Sequence, residues 1–88
     1  MKVEFLSKFV KDLDKLEREN INALIVKVIK QIENAENIAE IQNLKKLEGH
    51  KSAYRIKLGD YRIGVYIVTE IVEMARIIHR KDIYKVFP

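Results

Sequence analysis

Tyr54-Arg55-Ile56-Lys57-Leu58-Gly59-Asp60-Tyr61-Arg62-Ile63-Gly64-Val65-Tyr66 decides how this chain folds, because it reads as two strands closed by a tight turn. Alternation places Tyr54, Ile56 and Leu58 on one face and Arg55 and Lys57 on the other. The returning strand repeats the pattern, with Tyr61, Ile63 and Val65 inside and Arg62, Gly64 and Tyr66 outside. With Gly59-Asp60 as a two-residue loop, Leu58 stands opposite Tyr61, Lys57 opposite Arg62, Ile56 opposite Ile63 and Arg55 opposite Gly64. The outer face then carries three cations, two of them directly opposed. Like charges so placed destabilise a sheet, so these side chains either splay into water or hold a polyanion.

Working outward from the hairpin, Lys2 to Leu6 is a short opening strand with Val3 and Phe5 on one face. Ser7 suits a helix N-cap. Leu6, Phe9, Val10, Leu13 and Leu16 then recur at helical spacing, with Lys8, Lys11, Asp12, Asp14 and Lys15 on the solvated side, which predicts an amphipathic helix to about Glu19. Asn20 reads as a break and a second N-cap, followed by the stripe Ile21, Leu24, Ile25, Val28, Ile29 and Ile32, which fades between Asn34 and Asn37. Ile38 to Lys46 has room for one more helical turn, and Leu47 to Ser52 is a loop by composition. Strands are predicted over Ala53 to Leu58, Tyr61 to Val68 and Ile71 to Ile78, the last two joined at Thr69-Glu70, with a helical turn or packed tail after His79. The order β-α-α-β-β-β gives an α+β domain spanning 1–88: a twisted, mainly antiparallel sheet with a helical hairpin across one face. The other face, with Arg55, Lys57, Arg62 and Tyr66, is expected to be solvated or occupied by a partner.

The chain has 88 residues, enough for one core. It has no cysteine, which removes disulfides and thiolate zinc and fits a reducing cytosol. With no apolar run of membrane-spanning length and no signal-peptide pattern at Met1-Lys2-Val3-Glu4-Phe5, it is expected to be soluble and cytoplasmic. Net charge is +4 and unevenly spread: Met1 to Leu44 holds seven Lys/Arg against eight Asp/Glu, Lys45 to Pro88 ten against five. The second half has the one-sided field of a nucleic-acid or phosphate binder, the plain alternative being a basic surface with no specific ligand. His50 is isolated in a loop, no residues fall at metal-ligand spacing, and Gly49, Gly59 and Gly64 form no phosphate-binding loop. Ser7 and Ser52 lack a nucleophile-elbow context.

A second polar cluster, His79-Arg80-Lys81-Asp82-Ile83-Tyr84, follows the last strand. If that strand pairs with Tyr61 to Val68, its end returns toward Arg62, so the two clusters are expected to face one cleft. Such a cleft suits metal-free cleavage of an RNA phosphodiester, in which a 2′-hydroxyl loses a proton, a phosphorane is stabilised and the leaving 5′-oxygen gains a proton. Arg62 and Arg80 fit the phosphate oxygens. Lys57, opposite Arg62, could serve as base or clamp. Tyr84 could stack on a base or move a proton, and His79 is a further candidate for proton transfer. The plainer readings are a solvated hairpin face for Lys57 and Arg62, a strand-end cap for His79, strand packing for Tyr54, Tyr61 and Tyr66, and simple docking for Tyr84.

Leu44-Lys45-Lys46-Leu47-Glu48-Gly49, then the run from Tyr54 to Ile63, then His79 to Tyr84, taken in that order, resemble the RelE/ParE toxin superfamily of type II toxin–antitoxin systems, and its RelE branch most. The resemblance implies a RelE-like fold and a toxin that enters the ribosomal A site and cleaves bound mRNA by 2′-hydroxyl attack, halting translation and leaving a 2′,3′-cyclic phosphate. It implies a cognate antitoxin as partner, operator DNA bound through that antitoxin, no cofactor and no metal. By motif position the resemblance implies Lys57, Arg62, Arg80 and Tyr84 as the catalytic set and Arg55 at a further basic position; Arg55, His79 and Lys81 are the residues expected to contact RNA. The alternatives are a ParE-like DNA gyrase inhibitor and a catalytically inactive relative that binds RNA or antitoxin.

Overall fold

The computed structural model describes residues 1–16 and 20–88. Its elements are β1 (Lys2–Phe5), α1 (Ser7–Lys15), α2 (Asn22–Asn34), a 3-10 turn (Ile38–Glu40), β2 (Leu44–Lys46), β3 (Ala53–Leu58), β4 (Tyr61–Val68), β5 (Ile71–His79) and the one-turn α3 (Ile83–Val86). The expected end of the first helix near Glu19 lies outside the described residues. Among these, no helix is long and apolar enough to cross a membrane.

The hairpin forms in the register that alternation dictates, from Leu58↔Tyr61 through Lys57↔Arg62 and Ile56↔Ile63 to Ala53↔Tyr66. Gly59 sits at φ +59, the left-handed backbone that the first position of such a turn requires and that glycine adopts without strain. The strands are ordered β1-β5-β4-β3-β2, with β1 parallel to β5 and the other neighbours antiparallel. Sequence reading missed β2. Leu44-Lys45-Lys46 has no β-branched or aromatic residue, and it is held as a strand only by pairing with Tyr54–Ile56.

Helices α1 and α2 cover one face of the sheet. Phe9, Ile25 and Ile32 meet Ile56, Ile63, Val65, Val72, Met74 and Ile77 in the main core. Val10 and Leu24, expected in the apolar stripes, are exposed instead. Neither expected cap forms. Ser7 is already helical and the cap position is Leu6, whose amide bonds Met74 and carries the β1–β5 ladder straight into α1. Asn20 turns at φ 56, a conformation asparagine tolerates, and Ile21 precedes the helix.

Asp12, read as solvated, is only 4% exposed. Beyond Phe5 the edge of β5 has no strand beside it among the described residues, and α1 lies there instead. Arg76 donates through Nε to Asp12 Oδ2 at 2.8 Å and through Nη2 to Oδ1 at 3.2 Å, and the Ile77 amide donates to Oδ2 at 3.1 Å. A bulge in β5 makes this possible. Gly64 pairs with Arg76 while Val65 pairs with Met74, so Ala75 is the extra residue.

The face away from the helices is also a correction. It is not left wholly to solvent or a partner, because Ala53, Ala75, Ile83 and Phe87 form a second buried cluster with Leu6, Leu47, Tyr66 and Ile78 around it. The Phe87 ring lies so close to Gly64 that a Cβ there would stand 2.6 Å from Phe87 Cγ and Cδ2. Period-two alternation shows that this face is distinct from the main core. What lies over it comes from the chain's own C-terminal turn.

Candidate functional site

Lys57 and Arg62 stand directly opposite one another at the closed end of the hairpin, on the face away from the helices. Lys57 is exposed and Arg62 half-buried. The opposed cations are accommodated by splaying: Nη1 of Arg62 donates at 2.8 Å to the carbonyls of Gly59 and of Tyr61. A guanidinium has five donors, so this anchorage leaves it able to take an anion as well.

Arg80 reaches the same end through the backbone. Its amide donates to the Asp60 carbonyl at 2.8 Å, and its Nε lies 4.0 Å from Asp60 Oδ1. The turn after β5 is thereby tied to the turn between β3 and β4. Ile83, fully buried, anchors α3 over the sheet, and the next residue, Tyr84, is 61% exposed. Lys81 is exposed in the connecting turn, with Lys85 Nζ 3.3 Å from Asp82 Oδ1 beyond it.

His79 does not share this face. It pairs with Tyr61, which belongs to the helix side, and the two rings meet edge-on at 5.7 Å. Its Nδ1 accepts the Lys81 amide at 3.2 Å. The expected single cleft therefore gathers Lys57, Arg62 and Arg80 at one hairpin end, with Tyr84 on the helix laid over that face, and leaves His79 behind the sheet. His79 ends β5 opposite Tyr61, whereas Arg80 opens the turn that is tied to Asp60, which is why the two separate.

Arg55 lies further along the same face, its Nη1 donating to the Asn43 carbonyl at 2.9 Å. Its neighbour across β2 is Lys45, a cation that sequence reading left out of the site. Its signal lay in the alternation Leu44-Lys45, visible only once that segment is taken as a strand.

The chain as a whole is matched by known proteins. A family model described as the ParE toxin of type II toxin–antitoxin systems matches residues 3–84. This chain belongs to the RelE/ParE toxin superfamily. The RelE-like toxin is 36% identical over 89 residues to Toxin RelE3 of Methanocaldococcus jannaschii, covering 100% of both chains. Its structure is similar to that of the RelB–RelE antitoxin–toxin complex of Methanococcus jannaschii, with a TM-score of 0.79, 33% identity, and 97% of this chain and 99% of that one covered. The DinJ–YafQ complex of E. coli shares the RelE-like fold at 14% identity, with a TM-score of 0.72 and 94% and 97% of the two chains covered. The protein is thus a toxin of a type II toxin–antitoxin system.

Proposed function

We propose that this toxin is a metal-independent endoribonuclease that cleaves mRNA in the ribosomal A site. The observation that carries the reading is the convergence of Lys57, Arg62 and Arg80 on one hairpin end, fixed by strand register and by the Arg80–Asp60 backbone bond. Arg62 and Arg80 bind the non-bridging phosphate oxygens and stabilise the charge that grows as the 2′-oxygen forms its bond to phosphorus. Lys57 clamps the phosphate or accepts the 2′ proton. The bond from phosphorus to the 5′-oxygen then breaks, that oxygen takes a proton, and a 2′,3′-cyclic phosphate remains. Tyr84, on a helix turn anchored by Ile83, stacks on a base beside the cut. Lys81 and Arg55 extend the contact with the RNA backbone. A cognate antitoxin neutralises the toxin, as expected from relatives solved with RelB or DinJ bound, and the pair binds operator DNA through the antitoxin.

Arg62→Ala and Arg80→Ala should each lower cleavage of mRNA on programmed ribosomes by about 100-fold or more, as loss of one donor to a developing anion does. Both variants should remain folded, Arg62→Ala giving up only the two hydrogen bonds of its Nη1 to the turn. Full cleavage by either would remove it from the site. The ParE description of the matching family model favours one second reading, inhibition of DNA gyrase. It requires that supercoiling fail before translation in cells expressing the toxin.

A further inference from the structure

The outward face continues past the cleavage site to a pair of rings. His50 and Tyr66 lie 5.8 Å apart at an interplanar angle of 42°, and Tyr66 in turn meets Phe87 at 5.1 Å. Packing accounts for Phe87, which is buried, and for the half-buried Tyr66. It does not account for His50, which is exposed in the 47–52 loop with the Tyr66 ring as its contact. Beside it a surface cavity of about 360 Å³ is lined by Lys46, Leu47, Glu48, Gly49, His50 and Lys51.

The register joins these rings to the cations. Tyr66 pairs with Ala53, and Arg62, four residues earlier on β4, pairs with Lys57. The two positions share a face and are separated by roughly 13 Å of strand. Phe87 over Gly64 walls off the β4 side of that path, while Arg55 and Lys45, paired across β3 and β2, floor the other side. Cations along a path that ends in an exposed imidazole beside a half-buried tyrosine ring are the two components of a single-strand binding track, charge for the backbone and π-surface for the base.

We infer that the His50–Tyr66 ring pair is a nucleobase subsite, stacking a base of single-stranded RNA whose backbone crosses Lys45 and Arg55 on its way to Lys57 and Arg62. The subsite rests on the RNA reading proposed above, and it receives a nucleotide near the one that is cut rather than the cut nucleotide itself. An acidic peptide would satisfy the cations and leave the ring faces unused, which is why RNA is the better occupant.

The test measures fluorescence anisotropy of a labelled short single-stranded RNA, its riboses 2′-O-methylated so that it cannot be cut, titrated with the purified toxin at low salt. His50→Ala and Tyr66→Leu should each weaken binding by roughly tenfold, the loss expected when one base–aromatic stack is removed. His50→Trp, which keeps a ring, should bind like the native chain. His50 is exposed, so its replacement leaves the fold in place even if Tyr66→Leu does not. Native affinity in His50→Ala overturns the subsite, as does a His50→Ala variant that binds RNA normally but loses affinity for an antitoxin. If the native toxin binds this RNA with the stated ring dependence yet leaves A-site mRNA uncut, the subsite stands and the cleavage reading falls.

Discussion

At Asp12 one carboxylate satisfies three donors at a sheet edge that has run out of strand. The hydrogen bond from Arg76 is the main cause that raises the pKa of that guanidinium above its ordinary value; partial burial opposes the shift and the Asp12 charge adds to it. A folded-state pKa above the unfolded one means the pair's contribution is fully present below the usual arginine range and disappears only as pH climbs through the raised value. Across ordinary pH, then, the interaction is constant on the Arg76 side. Asp12→Ala orphans the Ile77 amide and leaves Arg76 without a counter-charge at the bulge. The expected loss is about 3 kcal/mol, the low end for a broken buried pair because Arg76 keeps part of its side chain in water. Urea unfolding measures it, and a loss under half a kcal/mol would mean that the bulge relaxes to restore these bonds through water. Periodicity hid this residue. Asp12 falls on the polar side of the α1 stripe, and no local pattern says that the polar side lies against a sheet edge.

Among the elements, the β3–β4 hairpin was legible because every cue agreed: alternation, a Gly-Asp turn and a two-residue loop that leaves no choice of register. Lys57 opposite Arg62 followed from that alone. β2 was illegible because its strand state comes from β3, and with it went Lys45. The bulge at Ala75 was hidden for a similar reason, since an extra residue in one strand shows only against its partner. The C-terminal turn was half legible: a helical turn or packed tail is expected after His79, but the surface that Ile83 and Phe87 cover depends on Gly64 having no side chain. That dependence is testable as a coupling. Gly64→Ala forces its methyl into the Phe87 ring and should destabilise by about 2 kcal/mol, as overpacking does. Phe87→Ala removes a buried ring and should lose about 3 kcal/mol. In the double variant the clash is gone, so its loss should fall short of the sum of the two single losses by about 1 kcal/mol or more in a denaturation cycle. Simple additivity would show that Phe87 moves aside at no cost.

Over the whole molecule, the division of charge follows the division of faces. The first half of the chain, near neutral, supplies β1, α1 and α2, while the second half brings ten Lys/Arg against five Asp/Glu, with Lys45, Arg55, Lys57 and Arg62 on the face away from α1 and α2. Sequence reading saw the total and its imbalance; the sheet order makes four of those cations a continuous patch across three adjacent strands. If the patch tracks an RNA backbone, each cation that touches a phosphate contributes a released counterion, and the logarithm of the binding constant falls with the logarithm of salt by about 0.7 for each contact to a single strand. Lys45 lies at the edge of that patch, one strand away from Arg55 and away from the Lys57–Arg62 pair. Lys45→Ala should therefore reduce the salt slope of RNA binding by about 0.7, raise KM for cleavage, and leave kcat near the native value, because the lost contact is the same in the ground and transition states. An unchanged slope would place the RNA backbone off the β2 side of the sheet, and a fall in kcat at constant KM would move Lys45 into the chemistry itself.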